Sequence, residues 1–229
     1  MESTKTRILK KLLETDGYLS GQDLCEQLGV SRTAVWKYMK QLKEEGYEIE
    51  AVQNKGYCLK DVPDVLGESE IKSRLHTRWA GQTLYYYDEI DSTNTQIKRL
   101  AEEDAPHGTL AVADYQSKGK GRRGHAWDSP HGSAIYMSIL FRPDIRPDRA
   151  SMLTLVIGLS VAQAIRSNLG VQAQIKWPND IVLNGKKLVG ILTEMSAQMN
   201  YIEYLVTGIG INANLREFPE ELADKATSL

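Results

Sequence analysis

The chain has 229 residues, room for one large domain or two modest ones. Hydrophobic residues make up 41% and charged residues 25%, which excludes collagen-like, disordered and disulfide-scaffold classes. Lys plus Arg number 28 against 30 Asp plus Glu, a net charge of −2, so any nucleic-acid binding has to rest on a local patch. Cys25 and Cys58 form no C-x-x-C, so neither a zinc site nor a redox motif is encoded, and a reducing, cytoplasmic setting fits. The first residues lack the apolar segment of a signal peptide. The longest apolar stretch, around Leu153 to Ala164, is interrupted by Thr154, Gly158, Ser160 and Gln163 and reads as too short to span a membrane.

In chain order, the pattern changes near Asp61-Val62-Pro63-Asp64, which predicts domains over residues 1–62 and 63–229. In the first part, Ile8, Leu9, Leu12 and Leu13 recur at helical spacing. Ser20 is placed to cap a second helix carrying Leu24, Cys25 and Leu28 inward, and Ser31 a third carrying Val35, Met39 and Leu42. Gly29 between them suits a tight turn, and helix, short turn, helix is a helix-turn-helix pattern. Arg32, Lys37, Lys40 and Lys43 follow Ser31 with no acidic residue among them, the stripe that phosphate neutralisation needs. Residues 47–59 alternate like a hairpin with Asn54-Lys55-Gly56 at its turn, which predicts a winged helix. Ser31, Arg32, Thr33, Trp36, Lys37, Lys40 and Lys55 are the candidate DNA contacts, although a lone Trp such as Trp36 is more often buried. Both cysteines read as packing residues.

The second part predicts strands over 83–88, 109–115, 134–141, 173–177, 180–183, 188–195 and 201–209, and helices over 92–102 and 149–168. Asn184-Gly185 is a two-residue hairpin signal. Hairpin joins and few intervening helices favour an α+β class: a winged helix-turn-helix domain followed by a mixed or antiparallel sheet flanked by helices.

Three segments could carry chemistry. Gly119, Gly121 and Gly124 spell G-x-G-x-x-G, but no long helix can open at His125-Ala-Trp-Asp-Ser-Pro130, so a dinucleotide fingerprint is rejected. Lys118, Lys120, Arg122 and Arg123 lie among these glycines, a composition suited to a phosphate or carboxylate, with a flexible basic loop as the plainer reading. Lys176-Trp-Pro-Asn-Asp180 holds polar groups at a turn, and Lys187 opens an apolar strand. Asp91-Ser-Thr-Asn94 reads first as a helix cap and second as a cluster for a polar ligand. No Walker A or G-x-S-x-G motif occurs, and the four histidines sit at no metal-ligand spacing.

Together and in this order, these segments resemble those of the bifunctional biotin–protein ligases that double as biotin operon repressors, over essentially the whole chain. The resemblance implies a class II synthetase-like ligase domain, ATP with magnesium, biotin as substrate, and biotinyl-5'-AMP as intermediate and corepressor. It implies a biotin carboxyl carrier protein or another biotin-dependent carboxylase subunit, operator DNA and a second copy of the liganded chain as partners, with no membrane. Carried over by residue, Ser92, Thr93, Asn94, Gln116, Gly119, Lys120, Gly121, Arg122 and Lys187 would bind biotin. Arg122, Arg123, Trp127, Lys176, Asn179 and Asp180 would bind ATP, with Asp180 beside its magnesium. Lys187, Arg122 and Asp180 would be catalytic. Two positions depart from the family's pattern: Lys120 stands where arginine is common and His125 where another basic residue is. The family also continues past the position of Leu229 into a small β domain. A repressor that senses ligand without turnover is therefore the alternative, and a lipoate-type ligase a third reading.

Overall fold

The computed structural model describes residues 3–229. The chain forms two compact units, one ending at His76 and the other running from Thr77 to Leu229.

The first unit contains α1 (Thr4–Glu14), α2 (Gly21–Leu28), α3 (Arg32–Glu44), β1 (Glu48–Val52), β2 (Gly56–Asp61) and α4 (Glu68–Arg74). α2 and α3 begin where hydroxyls can take up orphan amides. Ser20 accepts from the amides of Gln22 and Asp23, and Ser31 accepts from Ala34 N at 3.2 Å. Gly29 closes α2 in the left-handed region at φ 66. Ile8, Leu9, Leu12, Leu24, Val35, Met39, Leu42 and Ile49 form one core. β1 and β2 pair antiparallel as a wing, with Asn54 at φ 64 and Gly56 at φ 109 turning the chain. Leu19 adds a third rung, exchanging both backbone hydrogen bonds with Tyr57, which was not legible in the sequence. Cys58 is buried and Cys25 half-buried against the core, as expected.

Two sequence expectations fail in this unit. It does not end near residue 62. Pro63 ends the wing, but the chain returns as α4, which Tyr47 holds through a 2.5 Å hydrogen bond to Glu70. Trp36 is not buried: it stands 61% exposed on α3, because the inward positions of that helix belong to Val35, Met39 and Leu42.

The second unit is built on a seven-stranded mixed sheet in the order β3-β4-β5-β9-β8-β7-β6. Its strands are β3 (Leu84–Ile90), β4 (Leu110–Gln116), β5 (Ala134–Phe141), β6 (Gln174–Lys176), β7 (Asp180–Leu183), β8 (Lys186–Ala197) and β9 (Ile202–Asn212). Only β3 and β4 run parallel; every other neighbouring pair is antiparallel. Asn184 and Gly185 turn β7 into β8 with φ 52 and 80, the two positive angles a tight hairpin needs. α5 (Thr93–Glu102) crosses one face with a core of Ile97, Leu100, Ala101, Leu140 and Val206. α6 (Ala150–Leu169) lays Val161, Ala162 and Ile165 over Ile181, Val189 and Ile191.

α6 is longer than the apolar run suggests. Its 20 residues, extended by the turn from Pro147, are long and apolar enough to cross a bilayer by composition alone. The polar interruptions that broke the run in sequence, Thr154 and Ser160, bond to Thr193 and to the carbonyl of Val156.

The cap at Ser31 yields a test. Ser31→Ala should destabilise the first unit by about 1 kcal/mol, read as faster amide hydrogen exchange throughout α3. Unchanged exchange there would show that the cap contributes nothing.

Candidate functional site

The site forms on the α5 face of the sheet, where three glycines strip the floor of side chains. Gly190 on β8 pairs with Gly210 on β9, and Gly208 pairs with Leu192. A Cβ on Gly190 would collide with Trp127 Cζ3, and one on Gly210 would stand 2.6 Å from Trp127 Cε2. The indole therefore lies directly on bare backbone, which only glycine permits at those two places.

Trp127 ends the glycine-rich loop. Backbone hydrogen bonds cross that loop: Trp127 N donates to Gly119 O at 3.0 Å and Gly121 N to His125 O at 2.7 Å. The tip is a single turn at Arg122–Gly124, with Arg123 and Gly124 at φ 58 and 79, and extended chain follows. The long helix of a dinucleotide fold is absent there, as expected. Lys120 reaches back to donate to Thr95 Oγ1 at 2.8 Å.

Ser92 stands at the N-cap position of α5, yet its side chain makes no cap hydrogen bond, so the capping reading gives way to the pocket-lining one. Thr93, Asn94 and Gln116 are buried beside it. Gln116 Oε1 lies 2.9 Å from Thr93 N and 3.1 Å from Thr93 Oγ1, and Gln116 Nε2 donates to Ser129 Oγ at 3.0 Å. Across the pocket, Lys187 Nζ lies 2.8 Å from Asp180 Oδ1 and 5.2 Å from the centre of the Trp127 ring. Asp180 Oδ1 is buried and has no well-directed hydrogen bond, and Trp127 Nε1 is likewise buried without a partner. The Lys187 ammonium meets the Asp180 oxygen, whereas a buried indole N–H is costly unless a ligand meets it. The backbone of Lys187 is clamped from both sides by residues near the C-terminus: its N–H donates to Lys225 O at 2.7 Å and its carbonyl accepts from Thr227 N at 2.9 Å. Asn179 Nδ2 donates to Ile191 O at 3.0 Å, pinning the Lys176–Asp180 turn to β8.

One pocket therefore brings together Ser92, Thr93, Asn94, Gln116, Lys120, Gly121, Arg122, Trp127, Asn179 and Lys187. Asp180 joins through its ion pair with Lys187. Gly119 stays just behind the loop, where a Cβ would collide with Trp127 O. Arg123 at the loop tip and Lys176 on the outermost strand are exposed and do not line this pocket. Sequence reasoning missed Ser129, Ser138, Glu194 and the glycine floor. A signal for the floor existed, since glycine inside an apolar strand marks a close approach.

Residues 86–212 match the Biotin/lipoate A/B protein ligase family, and residues 4–58 match an HTH domain. The chain belongs to the biotin/lipoate protein ligase family. It is similar to the bifunctional ligase/repressor BirA of Bacillus spizizenii, at 48% identity over 233 residues, covering 100% of this chain and 72% of that protein. The Escherichia coli protein of the same name is 34% identical over 215 residues, covering 93% of this chain and 65% of that one. Among solved structures, the biotin protein ligase of Aquifex aeolicus in complex with biotin and ATP superposes with a TM-score of 0.54 at 39% identity, over 64% of this chain and 59% of that one. Family membership and the α+β class read from the sequence are thus borne out.

In the first unit, the candidate DNA contacts lie on α3 and the wing of the region that matches an HTH domain. Ser31, Arg32, Thr33, Trp36, Lys37, Lys40 and Lys55 are all exposed. Ser31 is spent on its cap and Arg32 Nη2 on Gln22 at 2.7 Å. Lys55 stacks over Tyr18 at 5.5 Å in the wing.

The pocket of this ligase-family chain offers two tests. Gly190→Ala should push the Trp127 ring off the floor and weaken biotin binding by tenfold or more in a calorimetric titration; an undiminished affinity would mean that the floor is not part of the site. Burial pushes the Glu194 carboxyl up, but hydrogen bonds from Lys98 and Asn94 and the charge of Lys98 outweigh it and hold the group below its ordinary 4.5. The Arg99 guanidinium likewise holds Asp91 below 3.8. A lowered carboxyl stabilises the fold fully above its ordinary value, and that contribution is lost as pH falls through the lowered one. Acid unfolding of the second unit should therefore begin below those ordinary values and shift in Glu194→Gln, as followed by circular dichroism.

Proposed function

We infer that this chain is a biotin–protein ligase that also regulates transcription. It activates biotin with ATP to biotinyl-5'-AMP and passes the biotinyl group to a lysine of a biotin carboxyl carrier protein or another carboxylase subunit. The single observation that carries this reading is the pocket in which loop cations, Lys187 and an uncharged polar head-group cradle converge on a glycine floor.

The chemistry asks for such a pocket. A carboxylate is a poor electrophile and repels a triphosphate. Lys120 and Arg122 on the loop, with Lys187 on β8, supply positive charge where the biotin carboxylate and the α-phosphate must meet. The carboxylate oxygen attacks the α-phosphorus, the bond to the bridging oxygen breaks, and pyrophosphate leaves. No protein nucleophile is required. In the second step the acceptor lysine amine attacks the acyl carbon and AMP leaves. Ser92, Thr93, Asn94 and Gln116 hold the neutral head of the vitamin, and the loop over Trp127 keeps water from the mixed anhydride. Arg123 and Lys176, outside the pocket, are assigned to the outer phosphates.

Among the described residues no three His, Cys, Asp or Glu side chains gather into a metal site. A magnesium ion arriving with ATP would find one carboxylate, Asp180, whose Oδ1 is paired with the Lys187 ammonium at 2.8 Å and which would have to share that charge. That fits the habit of magnesium, which takes one or two carboxylates and its remaining ligands from phosphates and water. When bound it would neutralise phosphate charge.

The winged unit binds operator DNA through α3 and the wing, with biotinyl-5'-AMP as corepressor. Loop ordering on the adenylate is the step that favours a dimer, and the protein works in the cytoplasm.

Lys187→Ala should lower pyrophosphate release from biotin and ATP by on the order of 10²-fold. No release from the unaltered chain would instead leave a ligand-sensing repressor without turnover. Lys37→Ala and Lys40→Ala should each reduce the salt slope of DNA binding by about 1 without changing sequence preference.

A further inference from the structure

Asn94 and Thr93 line the pocket, but what they offer a ligand is decided behind them. Lys98 Nζ donates to Glu194 Oε1 at 2.6 Å, and Asn94 Nδ2 donates to Glu194 Oε2 at 2.8 Å. An ionised carboxylate only accepts, so the amide must turn its NH₂ towards Glu194 and its oxygen away. Asn94 Oδ1 then lies 2.6 Å from Ser138 Oγ, and an amide oxygen only accepts, so Ser138 must spend its single proton there. Ser138 Oγ also lies 2.7 Å from Thr93 Oγ1. With its own proton committed, Ser138 can only accept, and so can Gln116 Oε1, 3.1 Å from Thr93 Oγ1, so the single Thr93 proton goes to one of these two. The Asn94 and Ser138 protons are thereby assigned from the Glu194 end, and the Thr93 proton is held by a protein acceptor either way. Thr93 Oγ1 and Asn94 Oδ1 are left with lone pairs alone.

We propose that Glu194 is a positioning residue that sets the hydrogen-bond polarity of the pocket, making the Thr93–Asn94 corner an acceptor-only surface that selects a ligand bearing N–H donors. This rests on the biotin reading, because the ureido ring of biotin carries two such N–H groups. Glu194 is half-buried and needs no contact with the ligand: it acts through Asn94, and Lys98 keeps it charged and oriented.

The chemistry of Glu194→Gln makes the proposal sharp. Lys98 has only protons to give, so it holds the new amide by its oxygen and turns the new NH₂ towards Asn94. Asn94 must then flip to offer its oxygen, giving up the long 3.4 Å hydrogen bond from its NH₂ to Leu192 O. Its NH₂ faces Ser138, Ser138 donates to Thr93, and Thr93 donates to Gln116 Oε1, which lies 3.1 Å away. The Asn94 end of the corner then presents N–H to a ligand, while Thr93, its proton given to Gln116, still offers only lone pairs. Adding Asn94→Asp restores it, since the carboxylate so introduced accepts both from the new amide and from Ser138, and the net charge returns to that of the unaltered chain.

The experiment compares binding of biotin with that of its cyclic carbamate analogue, in which one ureido N–H is replaced by oxygen, using the full chain. The unaltered protein should prefer biotin by tenfold or more. Glu194→Gln should lose that preference, and E194Q/N94D should regain it although neither side chain is restored. An unchanged preference in Glu194→Gln, or none regained in the double variant, would overturn the proposal; the double variant decides it if the single one does not fold. The Asn94 side-chain amide protons give a ligand-free reading by NMR. They should resonate downfield in the unaltered protein and move upfield in Glu194→Gln, and resonances insensitive to that substitution would overturn the proposal. A chain that binds no biotin but shows the shift would refute the ligand reading and support the row of hydrogen bonds.

Discussion

Two anions that must react cannot share a pocket unless cations stand between them, and most of the second unit can be understood as holding those cations still. Lys187 sits on a central strand, its backbone clamped by Lys225 and Thr227 and its ammonium tethered to Asp180. Lys120 and Arg122 sit on a loop that closes on itself through backbone hydrogen bonds, with Trp127 as its anchor. A fixed charge in a site shielded from water costs no reorganisation when the transition state forms, which is where its value lies. The glycine pair Gly190–Gly210 belongs to the same arrangement, because it lets the anchor descend onto the sheet.

The neutral half of the pocket works on another principle. Its groups, Thr93, Asn94, Gln116 and Ser138, are buried and carry no charge, so their discrimination depends on which way each proton points. A buried row of hydroxyls and amides can run in either direction at similar energy. One carboxylate at the Asn94 end sets the Asn94 and Ser138 protons. On the proposed reading, the cationic loop gathers the reacting groups and the neutral cradle chooses which molecule brings them.

Much of this was legible in the sequence because strong local signals agreed. Ser20 and Ser31 mark helix starts by side-chain capping and Gly29 marks a helix end by its left-handed backbone, and all three act as read. Asn184-Gly185 marked the β7–β8 hairpin, and both residues take the positive φ that such a turn needs. What stayed hidden was long-range. Ser138 and Glu194 look like ordinary polar residues of strands until β5 and β8 are laid beside α5. The C-terminal clamp on Lys187 joins residues far apart in the chain, and nothing local in Lys225-Ala-Thr227 announces it. Trp36 was misjudged by the average habit of tryptophan, whereas helix phase decided its exposure.

The account is tested most directly by a crystal structure with a non-hydrolysable analogue of biotinyl-5'-AMP. It predicts the 119–127 loop closed over the ligand, with Arg122 and Lys187 each about 3 Å from oxygens of the acyl-phosphate linkage. A loop turned away from the ligand, with neither cation in reach of that linkage, would contradict it.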